Sequence, residues 1–199
     1  IIFFSPADTV ETPVGVEDPR LRIQALGRFS VSLRGSILPL ERWPRKQSIQ
    51  LLKLLAAGAG RPFHRDRLVE HFWPETDSQN GWARLKVTIH FLRQKLREAG
   101  CELDVISTTD SSYVLRPDCV VIDARVFDDL AREGRTHQRT GRIADAIRCY
   151  EEAKSIYRGD FMEGDLYADW CAEDRERLRE VYIELLNAVR LTEPSLSTL

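Results

Sequence analysis

Residues 78–100 read SQNGWARLKVTIHFLRQKLREAG, and the fold turns on how this stretch is read. At 100° per residue, Leu85, Ile89, Leu92 and Leu96 fall on one narrow stripe, the spacing of a helix with one buried face. The opposite side carries Ala83, Lys86, Val87, His90, Phe91, Gln94 and Arg97, with Arg93 and Lys95 at its flanks and no acid before Glu98. A cationic helix face is ordinarily just solvated. Here small, apolar and hydrogen-bonding side chains are interleaved with the cations, a mixture suited to base edges and phosphates in a major groove.

The charge of the whole chain hides this local excess. Its 29 Lys and Arg against 31 Asp and Glu give a net charge of -2. Counted by segment, residues 1–20 carry -3, residues 21–117 carry +7 and residues 118–199 carry -6. Such a division points to two modules with different partners, one of them polyanionic. Cys101, Cys119, Cys149 and Cys171 are far apart in sequence, with no Cys pair at ligand spacing and no nearby His completing a cluster. They read as reduced thiols of a cytoplasmic protein, with no metal and no cofactor expected. No apolar run is long enough to span a membrane, and Ile1–Phe4 is too short and lacks the basic flank of a signal peptide. The chain starts without Met in the mixture PADTVETPVGVEDP, so residues 1–20 are expected to be a linker within a longer polypeptide.

Upstream of the quoted helix, residues 21–40 alternate apolar and polar side chains and are punctuated by Gly27 and Gly35. They predict two short antiparallel strands and a third around Ile37–Leu40, each with one wet face. Arg45–Ala57 predicts a helix burying Ile49, Leu52, Leu55 and Ala56 and stopped by Gly58. His64–Phe72 predicts a second, ended by Trp73 and Pro74. The connection PETDSQNG is longer than a plain helix-turn-helix allows, so it has a task of its own. After Gly100, LDVISTT, DSS and YVLR predict a hairpin with hydroxyls near its tip. Three helices followed by such a hairpin is the order of a winged helix.

From Asp118 the pattern becomes helical. Residues 125–139 and 143–158 predict a helix pair that fits the tetratricopeptide pattern at Gly134, Ala146, Tyr150 and Ala153. One such repeat cannot bury its own face and needs neighbours. A long helix over about Ala172–Leu191 supplies one, with Leu178, Val181, Tyr182, Leu185 and Val189 on one side. Residues 192–199 are expected to be a polar tail, and Trp170 with Tyr167 is expected to pack within the second domain. The fold class is therefore α+β: a winged helix-turn-helix with an N-terminal antiparallel sheet over residues 21–117, then an all-α tetratricopeptide-like domain over 118–191.

LRIQALGRFSV at 21–31, RKQSIQLLKLLAAGAGRPFHRDRLVEHFWPE at 45–75, and LKVTIHFLRQKLRE at 85–98 followed by YVL resemble the OmpR-type winged helix of the Streptomyces antibiotic regulatory protein family. VIDARVFDDL, YRGDF and ADWCAEDRERLRE resemble the bacterial transcriptional activator domain that follows it there. The resemblance implies a transcriptional regulator that binds direct repeats upstream of bacterial promoters, often as a side-by-side dimer, and that contacts RNA polymerase. It also implies that such modules occur inside larger regulators. Two departures stand out: Phe91 occupies a place where relatives often present arginine, and the further helix pairs usual in the activator domain do not follow, so this domain is expected to be truncated.

The candidate DNA-binding residues are Arg84, Lys86, Val87, His90, Arg93, Gln94 and Arg97 on the helix and Thr108, Thr109, Ser111 and Ser112 on the wing. Lys86, His90 and Gln94 suit base edges, and Val87 suits a thymine methyl unless it is core. His90 meets either a base or phosphate, or only water. Arg84, Arg93 and Arg97 suit phosphates. Phe91 is placed against the second domain. The wing hydroxyls either donate to phosphates or merely make the turn, and Arg45 and Lys46 add cations at the first helix's start. Glu75, Thr76, Asp77 and Ser78 include the cap of the long helix, and by the resemblance the same loop touches polymerase. A homodimer, through the second domain or on double-stranded DNA, is a further expectation; a membrane partner is not. No phosphate loop, nucleophile elbow or paired His marks an enzyme. The rival expectation is a protein-interaction module of a larger signalling protein.

Overall fold

The computed structural model describes residues 20–165 and 167–192; the expected linker, apart from Arg20, and all but the first residue of the expected tail lie outside these. Strands β1 (Leu21–Gln24) and β2 (Ser30–Leu33) pair antiparallel with Leu21 opposite Leu33 and Ile23 opposite Val31. Their apolar side chains alternate inward, as the period of two requires. Arg34 and Gly35, both at positive φ, turn the chain into β3 (Ser36–Ile37), which is shorter than expected. Pro39, which has no N–H to donate, follows, and Leu40–Arg42 forms a 3-10 turn instead of strand.

Helix α1 (Lys46–Ala57) buries Leu51, Leu52, Leu54, Leu55 and Ala56, and leaves Ile49 half-buried at its edge. Gly58 follows the last turn as expected, in the right-handed region. Its role is space, since a Cβ there would lie 2.4 Å from the Phe63 ring, and Ala59 takes the positive φ instead. His64 is not the first residue of the next helix. It belongs to a two-residue strand, β4 (Phe63–His64), and caps α2 (Arg65–Phe72) by accepting from the Asp66 N–H.

Helix α3 (Ser78–Glu98) buries Leu85, Ile89, Leu92 and Leu96 as its periodicity demands, and Gly81 and Thr88 besides. A Cβ on Gly81 would sit 2.2 Å from Val69 Cγ1, so glycine there is what lets α3 cross α2 closely. The wing follows as β5 (Ile106–Thr109) and β6 (Ser112–Leu115), joined through Asp110 and Ser111, both at positive φ. Two consecutive left-handed residues make the tight turn whose twist matches a hairpin. Strand β4 pairs with β6, placing Phe63 opposite Tyr113 and His64 opposite Ser112, so the wing sheet has three strands.

Strand β7 (Val120–Ile122) returns to the N-terminal sheet and pairs parallel with β1, Ile122 beside Ile23. That sheet, ordered β3-β2-β1-β7, is therefore mixed and not purely antiparallel as expected. The chain then enters α4 (Asp123–Arg139) and α5 (Ile143–Ile156), with α6 (Ala172–Thr192) packed on both. Gly134 lies under Tyr150, where a Cβ would come 2.4 Å from Cε1, which explains the small residue the repeat pattern puts there. Leu178, Val181, Leu185 and Val189 are buried, and Tyr182 stacks on Tyr157 with ring centroids 4.0 Å apart.

One hydrophobic core runs through both parts. Ala25 O accepts from Met162 N–H at 2.8 Å, and Gly27 N–H donates to Asp160 O at 3.0 Å. The Asp123 carboxylate, first residue of α4, accepts from the N–H groups of Ala25 and Leu26 in the sheet and of Ala124 in its own helix. Lys53 of α1 reaches Asp165 at 2.6 Å. Buried Arg175 of α6 donates to the carbonyls of Phe161 and Asp165. Trp170 packs against the core as expected, but Tyr167 is 99% exposed and packs on nothing.

Candidate nucleic-acid interface

Helix α3 is held by three fastenings, and each leaves its polar face outward. Asp77 caps its first turn, accepting from Asn80 N–H at 3.0 Å, and this bond with that from the Asn80 side chain holds the carboxyl below the usual range. Trp82 donates its indole N–H to Asp66 at 2.7 Å, and the Arg65 guanidinium lies 3.9 Å above the same ring. The leucine stripe supplies the third. Trp82 was not legible as a fastening, because its partners lie 16 and 17 residues upstream on another helix.

On the outward face, Arg84, Lys86, His90 and Arg97 are exposed, and among the described residues their side chains make no hydrogen bond or ion pair. Val87 is 49% exposed, so it stands among cations and not in the core. Gln94 is exposed but donates to Glu98 Oε1 at 2.8 Å, one turn on, while Lys95 holds the other oxygen at 2.6 Å. Those two bonds, Lys95 first, hold the Glu98 carboxyl low.

Two residues sit differently from expectation. Arg93 points to the wing: its Nη2 donates to Ile106 O at 2.6 Å, and its Nε lies 3.3 Å from Asp104. Its guanidinium ties helix to hairpin, so the reach towards phosphate read from the helical wheel is already engaged. Phe91 lies between Arg45 of α1, at 5.2 Å, and Lys95 of its own helix, at 5.7 Å, and not against the second domain. Cation–π attraction of this kind holds Arg45 beside the middle of α3. The first helix's start thereby joins the same cationic surface.

The wing tip is anchored as well. Arg65 N–H donates to Ser111 O at 2.8 Å, and Ser112 is paired with His64. Thr108 and Thr109 are exposed, whereas Ser111 and Ser112 are half-buried. In the loop before α3, Thr76 N–H donates to Trp73 O at 3.0 Å; Glu75 and Ser78 are exposed. The arrangement is one cationic helix face, flanked by two exposed hydroxyls of the hairpin and by Arg45.

Residues 44–114 match the family described as "Transcriptional regulatory protein, C terminal", and residues 122–194 match the "Bacterial transcriptional activator domain". The chain is also similar to the regulatory protein DnrI of Streptomyces peucetius, 27% identical over 149 residues. With both parts matched in this order, the chain is similar to the Streptomyces antibiotic regulatory protein family, whose members are transcriptional regulators. The match to DnrI covers 71% of this chain and 53% of that protein. EmbR of Mycobacterium tuberculosis, solved in complex with a low-affinity phosphopeptide, has the same fold. Its TM-score is 0.59 at 21% identity, over 86% of this chain and 43% of that one. The chain thus spans about half the length of the relatives it matches. Among the described residues no helix is long and apolar enough to cross a membrane.

One grouping contradicts the reading of the cysteines as remote from any histidine. Packing of α5 on α4 brings Cys149 beside Glu133 and His137, with ligand atoms of all three within 4.8 Å of one another. Linear spacing could not reveal it, because the helix pair folds back on itself. All four cysteines are free and buried.

Proposed function

We propose that this chain binds double-stranded DNA sequence-specifically and activates transcription, with residues 21–117 as the DNA-binding part and 118–191 as the activator part. Helix α3 enters a major groove. Lys86, His90 and Gln94 meet base edges there, and Val87 packs on a thymine methyl. Arg84 and Arg97 neutralise phosphates on either side, with Arg45 and the hydroxyls of Thr108 and Thr109 extending the track. Arg93 acts through the wing, holding the hairpin at the angle that lets Thr108, Thr109, Ser111 and Ser112 approach the backbone. The loop at 75–78 faces RNA polymerase when two copies lie side by side on promoter direct repeats.

The observation that carries this reading is the set of unpaired side chains on α3. Cations beside a half-exposed valine are poorly suited to water and well suited to a groove. The competing role, a module that docks only on protein, predicts no response of this kind to a polyanion. Fluorescence anisotropy on promoter fragments at several salt concentrations separates them. DNA binding through three phosphates, one each for Arg45, Arg84 and Arg97, requires log K to fall against log salt with a slope of about -2.7. A flat or absent response would leave the protein-docking role. Lys86→Ala and His90→Ala should weaken a specific site more than random DNA, whereas Arg97→Ala should weaken both alike.

A further inference from the structure

Away from the cationic face, the hairpin of α4 and α5 assembles a second polar group with different chemistry. Glu133 and His137 are one helical turn apart, so both project from the same side of α4. Gly134, lying between them, lets α5 approach until Tyr150 would meet any Cβ there, and the residue before Tyr150 is Cys149. The close crossing therefore delivers a thiol to the face that already carries a carboxylate and an imidazole.

We propose that Glu133, His137 and Cys149 form a binding site for one zinc-like divalent cation, with three protein ligands and a fourth position open to solvent.

The donor set is one carboxylate oxygen, one imidazole nitrogen and one sulfur. A borderline-soft ion takes all three, at about 2.0–2.3 Å, whereas Mg²⁺ and Ca²⁺ prefer oxygen alone. A tetrahedron with such bonds has edges of about 3.3–3.8 Å. Glu133 Oε1 and His137 Nε2 are already 3.4 Å apart. The sulfur completes the triangle within 4.8 Å. The remaining closure falls to Glu133, whose side chain is 60% exposed and free to follow the ion, while His137 is held at 12%.

The surroundings of the group matter as well. With Nε2 turned towards Glu133, His137 Nδ1 is buried without a hydrogen-bond partner among the described residues, so packing and not a second acceptor sets the ring. Burial first, then Glu133, Glu152 and Asp145 against Arg148, pushes the thiol up. In the metal-free chain Cys149 therefore keeps its proton. On binding, the S–H bond breaks, its electron pair forms the sulfur–metal bond and the proton leaves to solvent. The bound ion would clasp α4 to α5 directly.

Cobalt(II) is the probe, since a thiolate ligand gives it a charge-transfer absorption that carboxylate and imidazole do not. Titration of the full chain, reduced and stripped with chelator, should develop this band to one equivalent, and Zn²⁺ should abolish it by displacement. Cys149→Ser should remove the band, and Cys101→Ser should leave it. Glu133→Gln and His137→Gln should each raise the Kd at least about tenfold, with unchanged circular dichroism showing that the helix pair still folds. Absence of the band, or its persistence in Cys149→Ser, overturns the site.

Discussion

Arginine does different work in the two halves of the molecule. On the helical half, Arg125, Arg132, Arg135, Arg148, Arg177 and Arg179 all lie against carboxylates, several of them one turn away on the same helix. On α3, Arg84, Lys86 and Arg97 are exposed and have no such partner among the described residues. These six arginines fix the surface of their own half, whereas the outward face of α3 keeps a row of cations without carboxylates, although elsewhere in the basic half Arg61, Arg65, Arg93 and Arg116 are paired. The contrast is thus between two surfaces, one paired and one not. A polyanion gains most from the second kind, because exposed pairs are weak and unpaired cations carry the field.

The sharpest way to break the comparison is to separate the halves mechanically. Asp123 joins them, and Asp123→Ala would leave the N–H groups of Ala25, Leu26 and Ala124 without their acceptor. We expect a loss on the order of 4 kcal/mol in denaturant unfolding. Burial, opposed by those N–H bonds, raises this carboxyl from 3.8 to about 6. The folded state then binds a proton more readily than the unfolded chain between pH about 4 and about 6. Its contribution accordingly favours folding at the acid end of that window and is lost as pH rises through about 6, by about 3 kcal/mol at most. Asp123→Asn should flatten that part of the pH–stability curve; an identical slope in both proteins would reject the assignment.

Next in size is Gly134→Val. The added isopropyl group, beginning with its Cβ, would run into the Tyr150 ring, and overpacking of this kind costs about 3 kcal/mol. Since the core is continuous, the thermal transition should shift as one step. Two separate transitions would show that the halves unfold independently.

Much of this architecture could be read without coordinates, for definite reasons. The leucine stripe of α3 and the stripe of α6 each repeat at a helical period, Gly134 and Tyr150 stand at fixed offsets of the tetratricopeptide pattern, and such spacings survive in linear sequence. The wing was legible from its alternation and its turn residues. What escaped were pairings between remote or very short pieces. Strand β7 finds β1 across nearly the whole first half, with no hairpin to announce it, and β4 is only two residues long. Within the interface, exposure of Lys86, Val87 and His90 followed from their angle on the helix. The ties of Arg93 to Ile106, of Phe91 to Arg45 and of Trp82 to Asp66 depend on where other elements dock, and no spacing along α3 encodes them.

A smaller effect tests the unpaired row itself. Lys86→Ala should leave the unfolding midpoint within about 0.5 kcal/mol of the parent, because an exposed lysine without a partner supports nothing. Affinity for the specific DNA should nonetheless fall by about 2 kcal/mol, roughly thirtyfold. Loss of stability in parallel with affinity would mean that Lys86 is structural.

The finest contrast sets one arginine of each half against the other. Arg177 pairs with Asp128 at 3.0 Å on the acidic half, while Arg97 has no carboxylate. Removing Arg177 should cost less than about 1 kcal/mol of stability, because the pair is half exposed and water screens it. It should not change how DNA affinity responds to salt. Removing Arg97 should do the reverse: stability stays put, and the slope of log K against log salt becomes shallower by about 0.9, the counterion released by one phosphate contact. The slope is the decisive quantity because a folding defect scales affinity at every salt concentration equally and leaves the slope intact. If Arg177→Ala and Arg97→Ala altered it to the same degree, paired and unpaired cations would be equivalent towards DNA, and the division between the two surfaces would carry no functional meaning.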